Sequence, residues 1–293
     1  MERINVLITG QNSYIGNNLA RWLAQWPDIY AVDKISLRLP AWKNASFHGY
    51  DAVCHMAGLA HLRNAPPETY DAINRALAVE AAEKAKNEGV SRYIFMSTAA
   101  VYGVRDVVGQ ENEIKPSTMP KPTTIYGKSK YAAEAGIRAC ENETFTVSIV
   151  RAPMVYGANC PGNYGRLRRL VLRFGVIPLI ENERSMIYID HLCEYLRLLI
   201  HRSEGGVYCP QDDALFCTAD VMRWIAEANG RSVVTSQSLG TLIKPAARVL
   251  PMIHKAFGNL TYAKSLSVLP INEYCTLSPR DAITATELGW TAK

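Results

Sequence analysis

The chain has 293 residues, 48% of them hydrophobic, and a formal net charge of +5 with no long basic run. That is enough for a large core, in one domain or two unequal ones, and it argues against nucleic-acid binding. Seven scattered cysteines with no Cys-x-x-Cys pair and no metal-ligand spacing point to a reducing cytoplasm and to no metal, and no apolar run is long enough to span a membrane.

Ile4 to Thr9 is a short β-branched run that reads as a buried strand, too short for a secretory leader. Gly10, Ser13, Tyr14, Ile15 and Gly16 follow, and Asn17 to Gln25 reads as a helix stopped by Pro27. Strand, glycine turn and helix make a phosphate cradle, in which the helix N-terminus offers N–H groups and partial positive charge. Ser13 stands where the middle glycine of the usual fingerprint falls.

The second strand has two readings. If it is Ile29 to Val32, Asp33 ends it and would bond the adenosine ribose hydroxyls of NAD. If it runs on through Ile35 and Leu37, Ser36 and Arg38 take the recognition positions, and Arg38 would answer the 2′-phosphate of NADP. The second is preferred.

Residues 50–58 read as another buried strand that ends in small residues, Ala57 and Gly58, with His55 packed inside it rather than acting as a base. Tyr70 to Asn87 is an Ala-rich helix closed by Gly89, with Asn74 either exposed or bonding a neighbouring loop. Val90 to Ser97 is the next strand. Ser97 and Thr98 lie at its C-terminal end, where open α/β sheets bind ligands.

Residues 125–134 open a helix after a Pro/Thr-rich loop, with Tyr126 and Lys130 four apart on one face. An ammonium beside a phenol favours the phenolate, which makes Tyr126 an acid/base candidate for an alcohol or ketone carbon. Taken alone, the pair reads equally well as a core aromatic and a solvated charge. Phe145 to Val150 is one more strand. Beyond it lie a turn at residues 160–163, a basic helix from Tyr164 to Phe174, strand-like text at residues 183–190, and amphipathic helices at 191–201 and 218–229. Residues 244–257 read as a packed C-terminal element, with a membrane-surface segment as the competing assignment.

In this order, Thr9-Gly10…Ser13…Gly16, residues 55–58, residues 97–103, Tyr126-x-x-x-Lys130, residues 151–157 and residues 184–190 resemble the extended short-chain dehydrogenase/reductase superfamily, over roughly residues 3–210. The resemblance implies an α/β fold: a Rossmann-type doubly wound parallel sheet (residues 1–155 plus about 186–210) and a smaller C-terminal nucleotide-sugar domain (about 156–185 and 211–293). It implies NAD(P) held by Gly10, Ser13, Tyr14, Ile15, Gly16, Asp33 or Arg38, Ala57, Gly58 and Lys130. It makes Thr98, Tyr126 and Lys130 catalytic, with Thr98, Asn163 and Arg184 on a UDP-sugar, and a homodimer the usual assembly.

The absence of an acidic pair beside Thr98 disfavours a 4,6-dehydratase. Met154 stands where many epimerases have asparagine, and the stretch before Asp51 is short. Trp42-Lys43, residues 160–163, residues 182–185 and residues 257–260 are similar to a narrower group from surface-polysaccharide gene clusters. That likeness implies reduction of a UDP-4-keto-6-deoxy-N-acetylhexosamine with NADP. The alternatives are a UDP-hexose or UDP-N-acetylhexosamine 4-epimerase that retains NAD, and a non-catalytic NAD(P)-sensing module on the same fold.

Overall fold

A computed structural model describes residues 3–60, 65–104, 107–267 and 269–291; the outermost domain limits given above, 1 and 293, lie outside them. In chain order the elements are β1 (Ile4–Thr9), α1 (Tyr14–Leu23), β2 (Tyr30–Ile35), β3 (Ala52–His55), α2 (Pro67–Tyr70), a π-helical turn (Asp71–Ala76), α3 (Leu77–Asn87), β4 (Arg92–Thr98), β5 (Glu113–Ile114), α4 (Ile125–Arg138), β6 (Thr146–Ala152) and β7 (Met154–Tyr156). Then come α5 (Asn163–Arg173), β8 (Val176–Pro178), β9 (Met186–Tyr188), α6 (Ile189–Ile200), β10 (Gly206–Tyr208), α7 (Thr218–Ala228), β11 (Val234–Ser236), α8 (Gln237–Ala246), α9 (Pro251–Phe257), β12 (Thr261–Tyr262), α10 (Ile271–Tyr274) and α11 (Pro279–Leu288).

Six strands form one parallel sheet in the order β10-β6-β4-β3-β1-β2. Parallel strands need crossovers, and those crossovers cover both faces with helices, so the strands read as apolar runs rather than alternating ones. On one face the small side chains Ala78, Ala81, Ala82 and Ala85 of α3 and Ala133 of α4 pack with Tyr93, Phe95, Val147 and Ile149 of the sheet. On the other, Trp22 Nε1 of α1 donates to Glu194 of α6 at 2.8 Å. The order reverses between β1 and β3, which is the switch point where such sheets bind ligands. The usual dinucleotide-binding sheet has a further strand beyond β2. Here that stretch is short and makes only a 3-10 turn over Pro40–Asn44, which leaves β2 at the edge.

The chain divides into two compact units, residues 1–103, 119–152 and 192–210, and residues 104–118, 153–191 and 211–293. Three stretches fall in the second unit rather than the first, the shortest being residues 153–155. Residues 104–118 do so because β5 pairs with β12, Glu113 opposite Thr261 and Ile114 opposite Tyr262. Residues 186–191 do so because β9 pairs with β7, and because His191 bonds Asp212 at 2.8 Å. The second unit is built around Tyr156, which stacks on Tyr164 and meets Tyr188 and Phe216. The helix expected to run unbroken from Tyr70 to Asn87 contains the π-helical turn, which carries the buried Asn74.

Within the first unit, α4 is fixed to the sheet by a buried ion pair. Arg151 at the end of β6 donates from Nη2 to Glu134 of α4 at 2.6 Å and from Nε to both of its carboxylate oxygens, while the Ser97 hydroxyl donates to the same group. The Arg151 guanidinium also lies 4.9 Å from the centre of the Tyr102 ring. Breaking a buried pair from one side is far more costly than removing both partners. Glu134→Ala is therefore expected to lower unfolding free energy by about 3–5 kcal/mol. The double variant Glu134→Ala/Arg151→Met should recover a substantial part of that loss in urea titrations. Equal losses for single and double variants would show that the pair does not hold the helix.

Candidate active site

The cradle at the end of β1 is built by sterics. Gly10 has φ +81°, and a Cβ there would stand 2.9 Å from the Ala57 backbone nitrogen, so the turn and the exit of β3 approach as only glycine permits. Ser13 is the N-cap of α1: its hydroxyl accepts from Gly16 N–H at 2.9 Å. A Cβ on Gly16 would fall 2.5 Å from that hydroxyl oxygen, so the serine in place of the middle glycine and the glycine after it are one device. Tyr14 and Ile15 open the helix, whose first turn has no acidic residue. This surround fits the pyrophosphate of a dinucleotide.

β2 runs to Ile35, opposite Thr9, so Asp33 lies two residues inside the strand and accepts a hydrogen bond from Tyr50 at 2.8 Å. Gly10 and Gln11 N–H both donate to Ile35 O, which ties the strand end to the cradle. The strand therefore ends between the two readings, past Val32 but short of Leu37. Arg38, three residues on, is exposed.

Thr98 ends β4 and caps the short turn that follows, its hydroxyl accepting from Ala100 N–H at 3.2 Å. Thr124 caps α4 in the same way, through Gly127 N–H at 3.0 Å. Gly127, overlooked by the sequence reading, lets the two turns meet: a Cβ there would lie 2.5 Å from Ala100 O. Its signal was a glycine inside the first turn of a helix. The result brings the Tyr126 phenol onto Thr98. Burial pushes that phenol up to about 12, the Thr98 hydrogen bond pulls the other way, and Tyr70, whose ring centre lies 6.5 Å from that of Tyr126, raises it further.

Lys130 does not produce the lowered phenol that its spacing implied. Its Nζ donates instead to Met96 O at 2.8 Å and lies 4.4 Å from the Phe95 ring centre. Burial brings Lys130 down to about 8, against the pull of Glu134. Gly58 permits this packing, since a Cβ there would meet Lys130 Nζ at 3.1 Å. Asn74 binds the loop after β3, accepting from Leu59 N–H at 2.7 Å and donating to Leu59 O, and it also donates to Ser129 of α4. Its loop-bonding role, one of two sequence readings, is the one observed. His55 is buried, bonds Tyr93 at 2.7 Å and is brought down to about 3 by burial, which keeps it neutral.

In the second unit, Asn163 and Arg184 line one cavity with Arg166, Lys255, Thr218 and Met154, backed by Leu167, Phe216 and Val221. Arg184 Nη1 donates to Lys255 O at 2.9 Å and Gly258 O at 3.1 Å. Residues 182–185 and 257–260 lock together: Glu183 N–H donates to Asn259, and Asn182 donates to Gly258 O. A larger cavity of about 640 Å³ in the same unit is lined by Glu111, Glu113, Glu183, Asp212 and Asp213, with Lys264 the one cation among its described residues, a charge that repels a diphosphate. His191, Asp212 and Cys275 come within 4.8 Å of one another. Both ring nitrogens of His191 are engaged, one with Asp212 and the other accepting from Thr276 and Leu277 N–H, so the group braces the unit.

The NAD dependent epimerase/dehydratase family model matches residues 6–208. The chain is 28% identical to UDP-glucose 4-epimerase of Vibrio cholerae over 76% of its length and 75% of that protein. Among solved structures it is similar to UDP-glucuronic acid 4-epimerase from Bacillus cereus in complex with NAD, with TM-score 0.75 and 18% identity over 98% of each chain. It is also similar to dTDP-4-dehydrorhamnose reductase from Bacillus anthracis str. Ames in complex with NADP, with TM-score 0.72 and 19% identity over 98% of this chain and 99% of that one.

The buried Lys130 has a stability signature. Its folded value lies below the unfolded 10.5, so its charge costs stability below about pH 8, and the cost is relieved as pH rises from about 8 to 10.5. Lys130→Met is expected to stabilise the cofactor-free chain at pH 7 by on the order of 2 kcal/mol. The gain should fade toward pH 10. Urea midpoints at both pH values check this, and a variant less stable at both would contradict it.

Proposed function

The chain belongs to the NAD-dependent epimerase/dehydratase family, and from that premise we propose that it carries out oxidoreduction at C4 of a UDP-linked sugar, as a 4-epimerase. The observation that carries this reading is the Tyr126–Thr98 hydrogen bond at the C-terminal edge of a parallel sheet, with Lys130 buried one helical turn away. When bound, NAD(P) supplies the hydride acceptor and donor. Tyr126 exchanges a proton with the sugar O4, and Thr98 holds that oxygen. Lys130 gives the site its positive charge. Gly10, Ser13 and the α1 N-terminus hold the pyrophosphate. Asn163, Arg166 and Lys255 supply polar and cationic groups for the diphosphate of the sugar nucleotide, and the apolar wall of Leu167, Phe216 and Val221 suits its base.

A second reading, NADPH-dependent reduction of a UDP-4-keto-6-deoxy-N-acetylhexosamine, is favoured by β2. Asp33 is engaged by Tyr50 inside the strand, and Arg38 stands exposed beyond its end, suited to a 2′-phosphate. Tyr126 also keeps its proton at neutral pH, as the acid of a reduction must.

Denaturing the purified protein and identifying released nicotinamide separates the two. Tightly held NAD in near-stoichiometric amount is expected of the epimerase. A protein that releases none and oxidises NADPH with a UDP-4-keto-sugar is the reductase. In either case Tyr126→Phe is expected to reduce turnover by about 10²–10⁴-fold with cofactor binding kept. Unchanged activity in that variant would instead favour a non-catalytic cofactor-sensing module.

A further inference from the structure

The second unit carries a surface that the reaction leaves unused. On α5, Arg169 and Arg173 are exposed at a spacing of four, so they share a face. Phe174 continues it, 53% exposed. The chain passes through Gly175 directly into β8, where Val176 stands opposite Val234 of β11. Residues directly opposite in a sheet point to the same side, and both valines are exposed, Val234 by 67%. α8 packs Gly240 on the backbone of Leu179, where a Cβ would meet the carbonyl oxygen at 2.1 Å. Its opposite face turns outward with Leu242 74% exposed, and Val249 in the following turn is 78% exposed.

The sequence stretches that carry these apolar groups are basic. Residues 164–180 hold four arginines, residues 231–257 hold four lysines or arginines, and neither stretch contains an aspartate or glutamate. Of the four arginines, Arg168 faces inward and donates to Glu287 at 2.6 Å. Single exposed apolar side chains need no explanation, but a run of them over consecutive packed elements does. A polyanionic nucleic acid would be met by the cations alone, and among Phe174, Val176, Val234, Leu242 and Val249 only Phe174 offers a ring on which a base stacks. An anionic phospholipid surface takes both: apolar side chains enter the headgroup boundary while lysine and arginine meet the phosphates.

We propose that this surface docks the protein on an anionic phospholipid membrane, with Phe174, Leu242 and Val249 entering the boundary and Arg169, Arg173, Lys244 and Arg248 on the headgroups. The proposal rests on no reading of the reaction. Co-sedimentation of the full chain with phosphatidylcholine vesicles, with and without phosphatidylglycerol, tests it. Binding is expected only to the anionic vesicles and is expected to be reversed by high salt. Arg169→Ala/Arg173→Ala should weaken partitioning by about fivefold for each cation removed. Phe174→Ser/Leu242→Ser should abolish it, with the urea midpoint and turnover on a soluble UDP-sugar unchanged. Protein that stays in the supernatant with anionic vesicles at low salt overturns the proposal. So does vesicle binding that survives both double variants, or that is displaced by single-stranded RNA while the serine variant binds as well as the parent.

Discussion

The carboxylate of Glu134 is the group on which the first unit depends most. It is buried, takes both the Arg151 guanidinium and the Ser97 hydroxyl, and sits one turn beyond Lys130 on the helix whose first turn carries Tyr126. A charge is tolerated there because every partner is in place. Through it, α4 is joined to the C-terminal ends of β4 and β6, and the rotation of the helix is fixed. Tyr126 then reaches Thr98, and Lys130 is pressed under Phe95 toward Met96 O. A carboxylate at that place also restrains the loss of the Lys130 proton that burial promotes.

The strands β1, β3, β4 and β6 and the placing of Tyr126 and Lys130 on one helix were legible in the sequence because their signals are local: apolar runs, glycine turns, and a four-residue spacing. What was not legible depended on distant partners. The electrostatics of Tyr126 reversed because spacing places two side chains on one face but says nothing of water or of where the ammonium turns: burial raises the phenol, and Lys130 donates to Met96 O instead. The end of β2 was ambiguous because Asp33 and Lys34 lie at an exposed sheet edge, where a strand has no need of apolar side chains. Residues 104–118 joined the second unit through a two-residue strand whose partner is nearly 150 residues away by its register, Glu113 opposite Thr261, a pairing without local signature. Residues 182–185 and 257–260 were noticed separately, and their mutual hydrogen bonds made them one feature.

In the second unit, charge is sorted between two cavities. Acidic residues gather around the larger one, and the cations Arg166, Arg184 and Lys255 around the other. Volume alone would select the acidic one, whose wall repels a phosphorylated ligand. The sign of the wall selects the smaller one, and Arg184 shows how a cation is kept there: its guanidinium donates to two backbone carbonyls of the 255–258 segment.

The π-helical turn over Asp71–Ala76 sets local stability against site order. Such a turn accommodates one residue more than a regular helix, at some cost in backbone geometry. Here the extra residue rotates Asn74 inward, onto the backbone of Leu59 and the hydroxyl of Ser129. A chain one residue shorter in this turn would relax to a continuous α-helix from Pro67 to Asn87 and gain in that helix. It would also carry Asn74 about a quarter-turn or more around the axis and release the loop behind β3. Such a shortened chain would keep the fold while losing the order of the loop that follows β3.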